Sequence, residues 1–177
     1  MIDGLPEHLA ERARTLRGGE GGGGEAVVYW MRYALRGHDN PALDVARHLA
    51  SAQGLPLQVV QVVRTGDRFA SDRLHRFVLE GARDVAAELA PMGIAYACHV
   101  ERRGHAQPVL AALAARAAVI VSEDMPTPDA RAELGLLGET VPLVVVDTAC
   151  TLPMRVSGGA PARAFRFRQT TAAARDR

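Results

Sequence analysis

Five short runs of β-branched and apolar residues recur from residue 26 onward, and their regular alternation with helical patterns constrains the fold more than any other feature. The runs are AVVYWM (26–31), LQVVQVV (57–63), IAYACHV (94–100), AAVIVS (117–122) and PLVVVD (142–147). Continuous apolar runs of this length read as strands buried on both faces. Between them lie ALDVARHLASAQ after Pro41, SDRLHRFVLEGARDVAAELAPM from Ser71, QPVLAALAARA from Gln107 and DARAELGLLG from Asp129, each with helical spacing of its apolar residues. Asn40 before Pro41 and Ser71 before Asp72 are helix-start signals, and Gly54, Gly93 and Gly138 stand where helices should stop. Strands joined by helices pair in parallel through right-handed crossovers. The expected fold is therefore α/β: a Rossmann-like, doubly wound, five-stranded parallel sheet of order 3-2-1-4-5 with helices on both faces.

The ends fall outside this rhythm. In LPEHLAERARTL the residues Leu5, Leu9, Ala13 and Leu16 share one helical face, and GGEGGGGE follows, so residues 1–25 read as a helical arm on a glycine-rich linker. A phosphate-binding glycine loop must follow a strand and open a helix, whereas this run precedes the first strand. Residues 26–157 form the expected α/β domain, with 151–156 either a short extra strand or a loop. Residues 158–177 are an Arg/Ala-rich tail carrying Phe165 and Phe167. That tail is either the start of an element that packs on something further or a frayed end.

Composition removes several chemistries. All 21 basic residues are arginine, so no lysine is available for a Schiff base or a P-loop, and a net charge of +1 leaves little electrostatic footprint for nucleic acid. Cys98 and Cys150 are too few for a disulfide framework and lack metal-ligand spacing, which suits core thiols in a reducing compartment. No apolar run approaches the ~20 residues that span a bilayer, and no signal peptide is legible, so a cytoplasmic protein without a membrane partner is expected. Cys98, His99, Glu101 and His105 suggest a metal site only until strand geometry is applied, because adjacent strand residues point to opposite faces. Ser122, His38 and Asp147 lack the G-x-S-x-G turn of a hydrolase triad, and no G-x-G-x-x-G follows the first strand. Asp72 and Arg76, four apart on a helix, have the spacing of a surface ion pair.

In open parallel sheets ligands bind at the carboxyl ends of strands, where the strand order reverses. With order 3-2-1-4-5 that crevice lies between the first and fourth strands, bringing Trp30 and Asp124 to a common edge. Trp30 reads either as a core aromatic or as a stacking platform, and Asp124 and Asp147 either cap turns or face a ligand.

Three blocks at these positions carry a family likeness. They are VVYWMRYALRGHDNPALDVARHL, then RFASDRLHRFVLEGARDVAAEL, then AALAARAAVIVSEDMPTP with VVVDTACTLPMRV and AFRFRQ in that order. Together they resemble the N-terminal α/β domain of the DNA photolyase/cryptochrome family, closest to class II and related bacterial deoxyribodipyrimidine photolyases. The resemblance implies a larger helical domain that binds FAD, and light-driven electron transfer from reduced flavin that splits a pyrimidine dimer flipped out of UV-damaged DNA. It further implies that the α/β domain is scaffold and holder of a light-harvesting antenna, a folate or deazaflavin. Since no block here matches the flavin domain, this chain by itself is expected to be inactive, its tail leading toward the FAD-binding helical domain. An antenna at the sheet edge would stack near Trp30 and Met31, with Arg32, Asp39, Asn40, Asp124, Met125 and Asp147 around it. Two positions depart from the family pattern: Met125 replaces an aromatic residue and Ala149 an asparagine. The alternative is a stand-alone nucleotide- or chromophore-binding module without catalysis, which should tuck Phe165 and Phe167 onto its own core.

Overall fold

A computed structural model describes residues 2–19, 23–66, 70–102, 104, 107–159 and 161–175. Part of the glycine run, Arg68 and Phe69 of the second block, and His105 lie outside the described residues. The elements in chain order are α1 (Glu7–Ala10), β1 (Ala13–Arg17), β2 (Ala26–Met31), α2 (Pro41–Gln53), β3 (Leu57–Val63), α3 (Asp72–Leu89), β4 (Ala95–Val100), α4 (Val109–Ala114), β5 (Ala117–Glu123), α5 (Pro128–Glu133), β6 (Leu143–Val146), α6 (Met154–Ser157) and α7 (Ala164–Arg175). Short 3-10 turns at Ala90–Met92 and Leu134–Leu137 extend α3 and α5.

The local signals act as expected. Asn40 stays extended and its side chain accepts from the amides of Ala42 and Leu43, capping α2, while Ser71 accepts from the Leu74 amide to cap α3. Gly54 and Gly93 end their helices in the left-handed conformation, which a glycine adopts without steric cost. Asp72 and Arg76 do not form the ion pair their spacing suggests; Arg76 instead meets Glu80 one turn on, at 3.0 Å. Cys98 and Cys150 are free and only half-buried, so neither is a core thiol.

The sheet has six strands in the order β1-β6-β5-β2-β3-β4. From β2 to β6 all neighbours are parallel, and their order is the one the sequence implies. The sixth strand is the departure. The stretch read as one helical arm is a single turn, α1, followed by β1, which pairs antiparallel with β6. Leu5, Leu9 and Ala13 are indeed buried together, but through a turn and a strand instead of one helix face, and Leu16 remains exposed. The physical reason is the open edge of β6, whose backbone groups take β1 as a partner, a pull that a helical periodicity does not register. Residues 151–156, read as a strand or loop, lead into the short helix α6, which runs from Met154 to Ser157, and the tail holds helix α7 over Ala164–Arg175.

Strand alternation divides the core into two layers. Val27, Tyr29 and Met31 of β2 face a layer with Leu43, Leu49, Val85 and Leu89 of α2 and α3. Val28 and Trp30 face the other, with Leu110, Ile120, Leu134 and Leu137. Trp30 and Met31 therefore lie on opposite sides of the sheet.

Candidate functional site at the carboxyl edge of the sheet

Strand order reverses between β2 and β5, and at their carboxyl ends the dominant group is one whose position sequence reasoning marks but to which it assigns no role. Glu123, the last residue of β5, is 1 % exposed. Its carboxylate accepts from the Tyr29 hydroxyl at 2.7 Å and from the Arg32 amide at 3.0 and 3.1 Å, with longer contacts to the amides of Tyr33 and Ala34. A buried carboxylate is tolerated when its lone pairs meet this many donors. One side chain thus fixes the turn after β2. The only sequence signal was its position, beside Asp124 at a strand's carboxyl end at the switch point.

Asn40 completes the other wall of the turn. Its amide nitrogen donates to the carbonyls of Ala34 and Arg36 and to the Tyr29 oxygen, while its oxygen caps α2. Asp39, just before it, has φ of 45°. Aspartate is among the few non-glycine residues that adopt this left-handed conformation readily, and here it lets the chain swing from turn to helix. Burial, reinforced by the Glu123 charge, pushes the Tyr29 hydroxyl well above the ordinary tyrosine value.

On the opposite face of the sheet the Arg32 side chain is 4 % exposed. It donates to Ser122 Oγ and to the carbonyls of Ala130 and Glu123, and pairs with Glu133 at 3.2 Å. Its guanidinium lies 4.9 Å from the ring centroids of both Trp30 and Tyr33, within the range of a cation–π contact. Glu133 also takes the Tyr33 hydroxyl and faces Arg64, which in turn faces Glu101. Trp30 Nε1 is buried without a hydrogen-bond partner.

Both aspartates at the edge are occupied. Asp124 receives a two-pronged contact from Arg14 of β1, at 2.7 and 3.2 Å. Asp147, 2 % exposed, accepts from the amides of Ala149, Cys150 and Met154 and so shapes the turn into α6. Arg12 binds the carbonyls of Cys150 and Thr151 from the outside.

The structure thus brings the eight sequence-picked residues to one edge but gives them different tasks. Met31 and Trp30 belong to opposite core layers, Arg32 and Asn40 hold turns, and Asp147 is buried in its own loop. Asp39 is exposed, Met125 is half-exposed, and Asp124 sits at the margin of burial. A single stacking wall made of Trp30 and Met31 is not what the edge presents.

Comparison with known proteins agrees with the layout of the motifs. The family model for DNA photolyase matches residues 27–173. The deoxyribodipyrimidine photo-lyase of Methanothermobacter thermautotrophicus is 42% identical over 86 residues, covering 48% of this chain and 19% of that protein. The chain thus spans about a fifth of the length of the curated relative it matches. Among solved structures, a universal stress protein from Archaeoglobus fulgidus gives a TM-score of 0.44 at 18% identity over 67% of this chain and 93% of its own. One from Burkholderia pseudomallei gives 0.41 at 25% identity over 69% and 96%. With the family match running from the second residue of β2 into α7, the chain belongs to the DNA photolyase family, as its N-terminal α/β domain.

Proposed function

We propose that this chain is the α/β scaffold of a light-driven repair protein for pyrimidine dimers, working with a helical FAD-binding part that holds the flavin and the extruded lesion. The observation that carries the reading is the family match across nearly the whole described sheet, from β2 through α7. FAD belongs to the family's chemistry, where reduced flavin supplies the electron that splits the dimer. The carboxyl edge of this domain does not fit a flavin: the buried carboxylates and amide there are paired with neighbouring groups, and Trp30 Nε1, which with His99 Nε2 makes two buried side-chain atoms without a hydrogen-bond partner among the described residues, belongs to a side chain packed in an apolar layer. No electron-transfer step is assigned to these residues. Their part is to hold the β2–α2 turn and the loops after β5 and β6 in a fixed surface.

The burial of Trp30 and Met31 in opposite core layers supports a different resting place for an antenna. A folate or deazaflavin would rest outside the rim, against Tyr33, Asp39 and Met125, and not between Trp30 and Met31. An absorption band above the protein's aromatic absorption, retained by Trp30→Phe and lost with Tyr33→Ala and Met125→Ala together, is the expected signature. The domain boundaries 26–157 and 158–177, the cytoplasmic setting and contact with UV-damaged DNA through the complete protein follow from the same reading. Among the described residues no helix is long and apolar enough to cross a membrane. The direct test is a thymine-dimer assay under near-UV light with the purified chain, FAD and reductant. No light-dependent loss of dimers is expected; repair by the chain without a flavoprotein would refute the division of labour.

A further inference from the structure

Helix α7 lacks the packing that would hold it in place. It runs for 12 residues, and Thr171 is its one buried residue. Isolated helices shorter than ~12–15 residues are marginal in water, and helices in proteins owe their stability to a buried face. The face of α7 turned toward the domain holds Phe167 and Thr171, four apart, with Thr171 donating to the Phe167 carbonyl. Phe165 lies on the other side of the helix and is 66 % exposed.

Helical geometry sets the neighbours of that ring. Arg168 and Gln169 are three and four residues on, and Ala172 lies one further turn along the same face. Arg166 stands on one flank and Arg168 on the other. Between residues 155 and 175 the chain has five arginines and no carboxylate. Among the described residues no ion pair involves Arg163, Arg166 or Arg168. An apolar centre with cationic flanks and no internal counter-charge is complementary to one particular surface.

We infer that the Phe165 face of α7 docks an acidic amphipathic helix of a partner protein, Phe165 and Ala172 packing on its apolar ridge while Arg166 and Arg168 meet carboxylates on its flanks. The even balance of charge over the whole chain favours this over a nucleic-acid backbone, which is recognised through an extended basic surface. Aromatic residues and arginine are also both enriched in protein interfaces relative to the rest of the surface. The inference deepens the proposed function by giving the partner surface its chemistry, and its failure would leave the repair assay untouched.

The test uses the intact 177-residue chain and a fluorescent helical peptide of about 18 residues, or five turns, with leucines on one face and glutamates on both flanks. Saturable binding is expected, with protection of α7 amides from hydrogen exchange. Phe165→Ala and the double change Arg166→Gln, Arg168→Gln should each weaken binding about tenfold or more, and added salt should weaken it further. Because these side chains are exposed, the melting temperature should stay unchanged, which separates lost binding from lost folding. The inference is overturned if the peptide does not bind, if a version with alanine in place of leucine binds equally, if Phe165→Ala is without effect, or if a DNA duplex binds more tightly than the peptide.

Discussion

Replacing Glu123 by alanine would leave the Tyr29 hydroxyl and the Arg32 amide without their buried acceptor. The expected cost is about 3 kcal/mol, since an uncompensated buried polar group loses its full desolvation energy; denaturant unfolding measures it. Glu123→Gln should cost less, because it keeps one acceptor and the shape. A second prediction concerns pH. The folded pKa of Tyr29 is raised above the unfolded value near 10, so its contribution is fully present below about pH 10 and is lost as the hydroxyl ionises above it. Tyr29→Phe should therefore lower stability by about 1 kcal/mol at neutral pH yet flatten the alkaline decline, as melting curves across the alkaline range would show. Unequal legibility marks these residues. Asn40 was readable because Asn-Pro is a local helix-start signal, and Asp147 because an aspartate at a strand's end has turn chemistry of its own. Glu123 was not, since its role depends on a turn more than 80 residues away in sequence that only the folded sheet brings to it.

Elements show the same division between local and distant causes. The five parallel strands and their order follow from runs and crossovers, each a matter of neighbouring sequence. Strand β1 does not, because ARTLR is no strand by pattern and pairs only where β6 offers an edge. Removing residues 2–17 should therefore expose that edge. The Asp147 amide, bound to the Arg12 carbonyl at 3.0 Å, should lose its hydrogen-exchange protection, while amides within β2 and β3 keep theirs. Continued protection at Asp147 would mean that β1 adds nothing to β6. Arg14→Ala, by contrast, should cost no more than about 1 kcal/mol, since the Arg14–Asp124 pair is partly open to solvent. Helix α7 was hidden for another reason: its apolar residues are too few to show a helical stripe.

At the scale of the molecule, the proposed function divides the work between a scaffold and a catalytic partner. The α/β domain builds its carboxyl edge around hydrogen-bonded buried groups such as Glu123, Asn40 and Asp147, with Tyr33, Asp39 and Met125 left more open to solvent, and it carries an arginine-rich helix in its tail. The family likeness was legible in three blocks of sequence, and the fold of β2 to β6 with it. The candidate site was legible in location only, because the residues that mark a strand's end do not reveal which of them turn inward. The most direct measurement is a domain exchange: the Methanothermobacter thermautotrophicus photo-lyase with its matching α/β segment replaced by residues 26–157 of this chain, assayed for light-dependent loss of thymine dimers. Repair retained by a folded, flavin-loaded chimera is the predicted result, and a chimera that binds FAD normally but repairs no dimers would contradict the account.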